Sequence, residues 1–199
     1  AGRGDQEVPA LIRRLIGCCA ALLVAACAQL PAGPLPQRGE LENFAVAGRF
    51  ALLTRQADGS SESTGGRLDW THSRDGDRLL LANPLGIGVA ELYSGGGQAR
   101  LITSDGQTRE AADAEQLLAE VTGQALPIGR LAGWLLGRAG PGGRLERDAF
   151  DRPLRLDEAG WRVDYAYADD DPAAPPMRLT ASNAVLELRL RIETWKALP

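Results

Sequence analysis

The chain has 199 residues, with 22 basic against 26 acidic side chains and a formal net charge of −4. A mildly acidic chain without a basic run lacks the electrostatic footprint of a nucleic-acid binder, so no nucleic-acid partner is expected. Its length suits one domain with a sizeable core.

The first element is a leader. Arg13 and Arg14 precede the apolar run Leu15–Cys27, LIGCCAALLVAAC. A basic end, a short apolar core and small residues before a cleavage point make a secretory signal. The run is too short for a spanning helix, which needs about 20 residues. Val24-Ala25-Ala26-Cys27 resembles the lipobox of bacterial lipoproteins, in which the peptide is cut before a cysteine that becomes acylated. By that resemblance residues 1–26 are a cleaved signal peptide and Cys27 is the lipidated first residue of the mature protein. The 173 residues that remain carry a net charge of −5. Cys18 and Cys19 leave with the signal, so neither a disulfide nor a thiolate metal site is expected. No later apolar run approaches spanning length, which makes the acyl chains the durable anchor. Residues 27–43 form the lipidated N-terminus and a tether, with three prolines and two glycines in Ala28–Gly39. Ala28, where an aspartate would signal retention in the inner membrane of enterobacteria-like cells, implies the outer membrane, facing the periplasm.

From Phe44 the period is two, and residues 44–199 form the folded body. Phe44, Val46, Gly48, Phe50 and Leu52 share one face of a strand. Ala57-Asp58-Gly59-Ser60 is a turn. Alternation resumes over Gly66–Thr71, with Leu68 and Trp70 on one side, and Ser73–Asp77 turns again. Arg78–Ala82 is a strand that Asn83-Pro84-Leu85-Gly86 interrupts, and Ile87–Tyr93 continues extended. Ser94–Gly97 turns, Ala99–Thr103 is a short strand and Ser104-Asp105-Gly106 turns. Short strands at intervals of about 8–12 residues make an antiparallel meander.

The period then becomes helical. Asp113–Gly123 begins with a capping aspartate, ends at glycine and places Leu117, Leu118 and Val121 on one side. Pro127–Gly137 has proline in its first turn and Ile128, Leu131, Trp134 and Leu135 at helical spacing. After a loop at Gly140–Gly143 strands return. Leu154 and Leu156 share a face of Arg152–Asp157, and Trp161, Val163, Tyr165 and Tyr167 share a face of the next strand. Asp169–Pro176 is an acidic, proline-rich loop. Val185–Trp195 alternates cleanly, with Leu186, Leu188, Leu190 and Ile192 on one face. The pattern is mainly β with a few α-helices: one strongly curved antiparallel sheet with a small helical insert over its apolar face. A sheet that curls without filling its interior leaves an apolar cavity, the usual form of an acyl-binding site.

Catalytic signals are weak. His72 sits beside a turn and reads as an exposed strand-end residue, with no partners for a triad or a metal. Ser94–Gly97 lacks the lysine and helix of a phosphate cradle. Asp169-Asp170-Asp171 lacks the spaced ligands of a calcium loop. No catalytic residue, metal or cofactor is expected, and no enzymatic activity.

Several motifs together carry a resemblance. They are Phe44-x-x-x-Gly48-Arg49-Phe50, Leu68-Asp69-Trp70, Leu79-Leu80-Leu81-Ala82-Asn83-Pro84-Leu85-Gly86, Asp105-Gly106 and Asp113-Ala114-Glu115. Further along come Leu126-Pro127-Ile128 with Leu131-x-x-Trp134-Leu135-x-Gly137, Gly160-Trp161-x-Val163-x-Tyr165, and a last strand reaching Trp195. In this order and spacing they resemble the LolB family of outer-membrane lipoprotein-insertion proteins, within the LolA/LolB-like lipoprotein localisation families. The resemblance implies an unclosed, half β-barrel whose helices lid an apolar cavity. It also implies a receptor that accepts lipoproteins from the periplasmic carrier LolA and inserts them into the inner leaflet of the outer membrane. The partners it implies are LolA, acylated cargo and outer-membrane phospholipid; a monomer is expected. Pro84, Leu85 and Gly86 occupy the family's membrane-insertion loop, with Leu85 at the protruding position. The family often has a longer amphipathic helix, with its own tryptophan, before the first strand; here Gln37–Asn43 allows at most two turns and has no tryptophan.

Strand phase and helical face nominate Phe50, Leu68, Trp70, Leu79, Leu81, Trp134, Leu188 and Leu190 as cavity-lining residues. Two other functions fit the same chain: an envelope lipoprotein that carries lipid rather than protein, and a scaffold that binds through a sheet edge.

Overall fold

The computed structural model describes residues 41–199; the leader, Cys27 and the tether up to residue 40 lie outside the described residues. Among the described residues, eleven strands form one antiparallel sheet: β1 (Phe44–Arg55), β2 (Ser61–Ser73), β3 (Gly76–Ala82), β4 (Gly88–Gly95), β5 (Gln98–Thr103), β6 (Thr108–Ala111), β7 (Arg144–Arg147), β8 (Pro153–Glu158), β9 (Trp161–Ala166), β10 (Arg178–Ser182) and β11 (Leu186–Ala197). Helices α1 (Ala114–Thr122) and α2 (Ile128–Leu135) lie between β6 and β7 in the chain. The spatial order is β6-β5-β4-β3-β2-β1-β11-β10-β9-β8-β7. First and last strands therefore meet in the middle, and the sheet is not closed: its two edges are the strands that flank the helices. Neither helix is long and apolar enough to cross a membrane.

Period-two alternation sends every second side chain to one face. Trp70, Leu79, Leu92 and Leu101 face one another across β2 to β5. A second row, Leu52-Leu188-Ala181-Val163-Leu156-Leu145, runs unbroken across β1, β11, β10, β9, β8 and β7. Five of these six are buried and Leu145 is partly so. Fully burying one such aliphatic chain contributes about 1.5–3 kcal/mol, so the two rows are a large part of what holds the open sheet.

The helices cover that face. Asp113 caps α1 by accepting from the Gln116 N–H at 2.8 Å, and Gly123 ends it in the left-handed region. α1 rests on β4, β5 and β6 and packs on α2. α2 buries Ile128, Leu131, Ala132, Trp134 and Leu135. It is tied to the other half of the sheet, because the Tyr165 hydroxyl donates to the Trp134 carbonyl at 2.8 Å. The helical pair thus spans the inner face from one side of the open sheet to the other.

Two glycines permit tight strand contacts. A Cβ at Gly48 would lie 2.0 Å from the Arg191 carbonyl oxygen, and one at Gly66 would lie 2.0 Å from that of Ala82. Gly48 sits at a bulge in the β1–β11 pairing, where an extra residue bends one strand and increases its twist.

Several expectations need correction. Three short strands, β6, β7 and β10, are absent from the alternation reading. Each has four or five residues, and β6 and β7 are mostly charged or polar, which gives period two too few apolar points. Leu154 and Leu156 do not share a buried face. The register slips between β7 and β8, so Leu154 is bulged out and exposed while Leu156 is buried. Pro127 stands just before α2 rather than in its first turn. Leu41 and Asn43, assigned to the tether, are held by the body: Leu41 is buried and its carbonyl accepts from Arg138 at 2.6 Å. The Asn43 amide donates to the Pro199 carbonyl at 2.7 Å.

Antiparallel pairing puts the turns after β1, β3, β5, β8 and β10 at one end of the sheet. Phe44, opposite His72 and Ala197, lies at the other.

Candidate functional site

The turn between β3 and β4 is built on Asn83. Proline at 84 cannot donate a ladder bond, so the strand stops. Gly86 takes φ 89°, a left-handed angle that glycine adopts without strain. The Gly86 N–H donates to the Asn83 carbonyl at 2.8 Å, and the Asn83 N–H donates to the Ile87 carbonyl at 2.9 Å. The Asn83 side-chain oxygen accepts from the Leu85 N–H at 3.0 Å and the Ile87 N–H at 3.1 Å. This closed turn holds Leu85 at 86% exposure. Pro84 and Gly86 are exposed beside it.

Below the turn lies the inner face. Register and burial bring all eight nominated residues to one apolar cluster. Leu68 faces Leu81 and Trp70 faces Leu79 across β2–β3. Phe50 faces Leu190 and Leu52 faces Leu188 across β1–β11. Trp134 enters from α2. Leu68, Trp70, Leu79, Trp134, Leu188 and Leu190 are buried, while Phe50 and Leu81 are partly buried against the cluster. Leu81, two residues before Asn83, is partly buried against this cluster, so the turn springs from a strand that joins the core. A surface concavity of about 1040 Å³ lies elsewhere, among Thr71, Arg78, Tyr93, Arg100 and Glu110, and none of the eight lines it.

Glu158 anchors the helical cover. It is buried, and its carboxylate accepts from Arg130 Nη1 at 2.6 Å, the Gly140 N–H at 2.8 Å and Trp134 Nε1 at 3.3 Å. Burial by itself would raise its pKa; the Gly140 N–H, the Arg130 guanidinium and the Trp134 N–H outweigh that and hold it below the ordinary value.

The other nominated groups have structural surroundings. His72 is half-buried rather than exposed. Its Nδ1 lies 2.7 Å from Asp77 Oδ1, which also accepts from Trp70 Nε1 at 2.8 Å. Its ring lies 5.0 Å from that of Phe44. Gly96 and Gly97 are the turn of the β4–β5 hairpin. The carbonyls of Asp169 and Asp171 both accept from the buried Arg152, at 2.7 and 3.0 Å, so that cation pins the acidic loop. Among the described residues no cluster of three or more His, Cys, Asp or Glu is placed to hold a metal.

The family model for the outer membrane lipoprotein LolB matches residues 42–195. The chain belongs to the LolB family. A LolB of Dechloromonas aromatica is 46% identical over 178 residues, covering 89% of this chain and 94% of that protein. A LolB of Azoarcus sp. is 36% identical, covering 92% and 94%. A crystal structure of an outer-membrane lipoprotein-sorting protein domain from Vibrio parahaemolyticus superposes with a TM-score of 0.50 at 12% identity, over 80% of this chain and 87% of that one, and shows the shared fold. As a LolB-family member the chain is an outer-membrane lipoprotein with a role in lipoprotein localisation. The family is one of lipoprotein trafficking and not a known enzyme family.

Asn83 is read from the sequence only as part of the turn and not as its clamp, and Ile87 and Glu158 received no role. A signal existed for the first two, since no charged residue occurs between Arg78 and Glu91. None existed for Glu158, whose partners lie 18 to 28 residues away.

Proposed function

We propose that this protein accepts lipoproteins from the periplasmic carrier LolA and passes them into the inner leaflet of the outer membrane. The cargo's acyl chains are held against the inner apolar face around Trp70, Leu79, Trp134 and Leu190, and room for them comes from displacement of the helical cover. Pro84-Leu85-Gly86 is the element that touches the membrane. Cys27 carries the acyl anchor, which raises the effective concentration of the body at the membrane. The observation that carries the reading is Leu85: a large aliphatic side chain at 86% exposure on a closed, hydrogen-bonded turn. Transfer of one leucine from water to an apolar medium is worth about 1.5–3 kcal/mol, which suits a reversible probe and is too weak for an anchor.

A liposome insertion assay tests this. Leu85→Glu leaves folding and cargo uptake from the carrier nearly intact and blocks release into liposomes. Unimpaired release overturns the reading. A Cys27→Ala protein exported by another signal keeps part of its insertion activity, with lower efficiency. The alternative cargo, free phospholipid or glycolipid, predicts instead a stably copurifying lipid.

A further inference from the structure

The side-chain oxygen of Asn83 captures two N–H groups, those of Leu85 and Ile87. These are also the two large apolar residues that stand furthest into solvent on the described chain, at 86% and 63% exposure. Gly86 and Gly88 separate and flank them and add no side chain. We propose that the membrane-contacting element is a two-pronged apolar finger, Leu85 with Ile87, which Asn83 sets as a positioning residue. The proposal rests on the reading that this turn touches the membrane and adds the second prong and the clamp.

Three features fit a lipid bilayer better than a protein groove. No charge occurs from Leu79 to Ala90, so the finger carries nothing that resists the acyl region. Charges begin at its base: Arg67 pairs with Ala82, where β3 ends, and Glu91 follows Ala90. That boundary limits how deep the finger goes. Finally, the turn is already closed by four hydrogen bonds, so insertion does not have to order a loop. A single prong would give weak partition; two prongs on a fixed turn act together without becoming a permanent anchor.

The test uses the lipidated protein in vesicles of phosphatidylethanolamine and phosphatidylglycerol, with labelled lipoprotein delivered by its carrier. Cargo uptake and cargo release are timed separately. Ile87→Ser slows release about tenfold and leaves uptake unchanged, the loss expected from removing one apolar side chain from the bilayer. Leu85→Ser slows release at least as much. Val185→Ser, at another exposed turn on the same end of the sheet, leaves both steps unchanged. Ile87→Thr keeps the β-branched shape and slows release as Ile87→Ser does, which separates lost apolarity from lost backbone preference. Asn83→Ala slows release, and Asn83→Ser, which keeps an uncharged acceptor oxygen in a weaker version of the same turn, restores part of it.

If Leu85→Ser slows release and neither substitution at Ile87 does, the second prong is overturned while the single-leucine reading stands. If no substitution at either position slows release, the membrane reading of the turn fails as well. If Ile87→Ser slows uptake from the carrier, that residue meets protein rather than lipid and the proposal is overturned. Release that Asn83→Ala leaves unchanged, or that Asn83→Ser does not partly restore, overturns the clamp.

Discussion

Two turns at the same end of the sheet are built alike and used differently. Asn83 and Asn183 each accept two main-chain N–H groups through the side-chain oxygen. In the first turn the donors are Leu85 and Ile87, and in the second Val185 and Leu186, at 2.8 and 2.7 Å. In both, the asparagine N–H closes the turn, onto the Ile87 carbonyl in one and the Leu186 carbonyl in the other, each at 2.9 Å. The second closure is one residue shorter. It returns the chain to the sheet at once, and Leu186 is 4% exposed while Val185 is 46% exposed. The longer turn carries Leu85 and Ile87 clear of the sheet. The same local chemistry therefore serves the core in one place and a surface finger in the other, and turn length decides which.

The comparison breaks first where the core is involved. Leu186→Ala lowers stability by about 2–5 kcal/mol, as large-to-small changes at buried leucines do, and a urea or guanidinium melt reads it directly. An intermediate loss comes from Glu158, which holds Arg130, Trp134 and Gly140 on the inner side. Glu158→Gln costs about 1.5–3 kcal/mol near neutral pH through its hydrogen bonds to charged and buried donors. Its folded-state pKa is depressed, so the wild-type advantage is full above the ordinary carboxylate value of 4.5 and disappears as pH falls through the folded value. Stability curves for the two proteins converge in acid; a gap that persists there contradicts the charged-acceptor role.

Smaller effects separate the turns themselves. Asn183→Ala leaves the Leu186 N–H short of an acceptor beside the core and costs about 1–2 kcal/mol. Asn83→Ala costs less, about 0.5–1 kcal/mol, because water replaces the lost acceptor at an exposed turn. Equal losses in the two melts contradict the contrast. Smallest of all, Leu85→Ala changes stability by no more than about 0.5 kcal/mol, while membrane release falls. A residue whose removal affects delivery and not folding is the signature expected of the finger.

Much of this molecule is legible in its sequence where side chains alternate in unambiguous phase. Val185–Trp195 and Phe44–Leu53 become β11 and β1, the adjacent strands at the centre of the sheet. The capping aspartate and terminal glycine mark α1, with Asp113 and Gly123 as its caps. Asn83-Pro84-Leu85-Gly86 reads as a turn because proline removes a ladder donor and glycine accepts the left-handed angle. Strands of four or five residues with polar or charged sequences escape detection, since β6, β7 and β10 owe their pairing to neighbours already in place rather than to their own pattern.

By itself the sequence determined which face of each long strand is apolar, where the first helix begins and ends, and which residue tips the turn, because all of these depend on a few neighbouring residues. Tertiary structure decided the rest. It joined the first strand to the last, laid α1 and α2 across the open sheet, and brought Arg130, Trp134 and Gly140 to one buried carboxylate. It also bulged Leu154 out of the face that its spacing assigns to it. The first three outcomes depend on residues far apart in the chain meeting, and the bulge on a register slip between β7 and β8; local periodicity holds no information about register between strands.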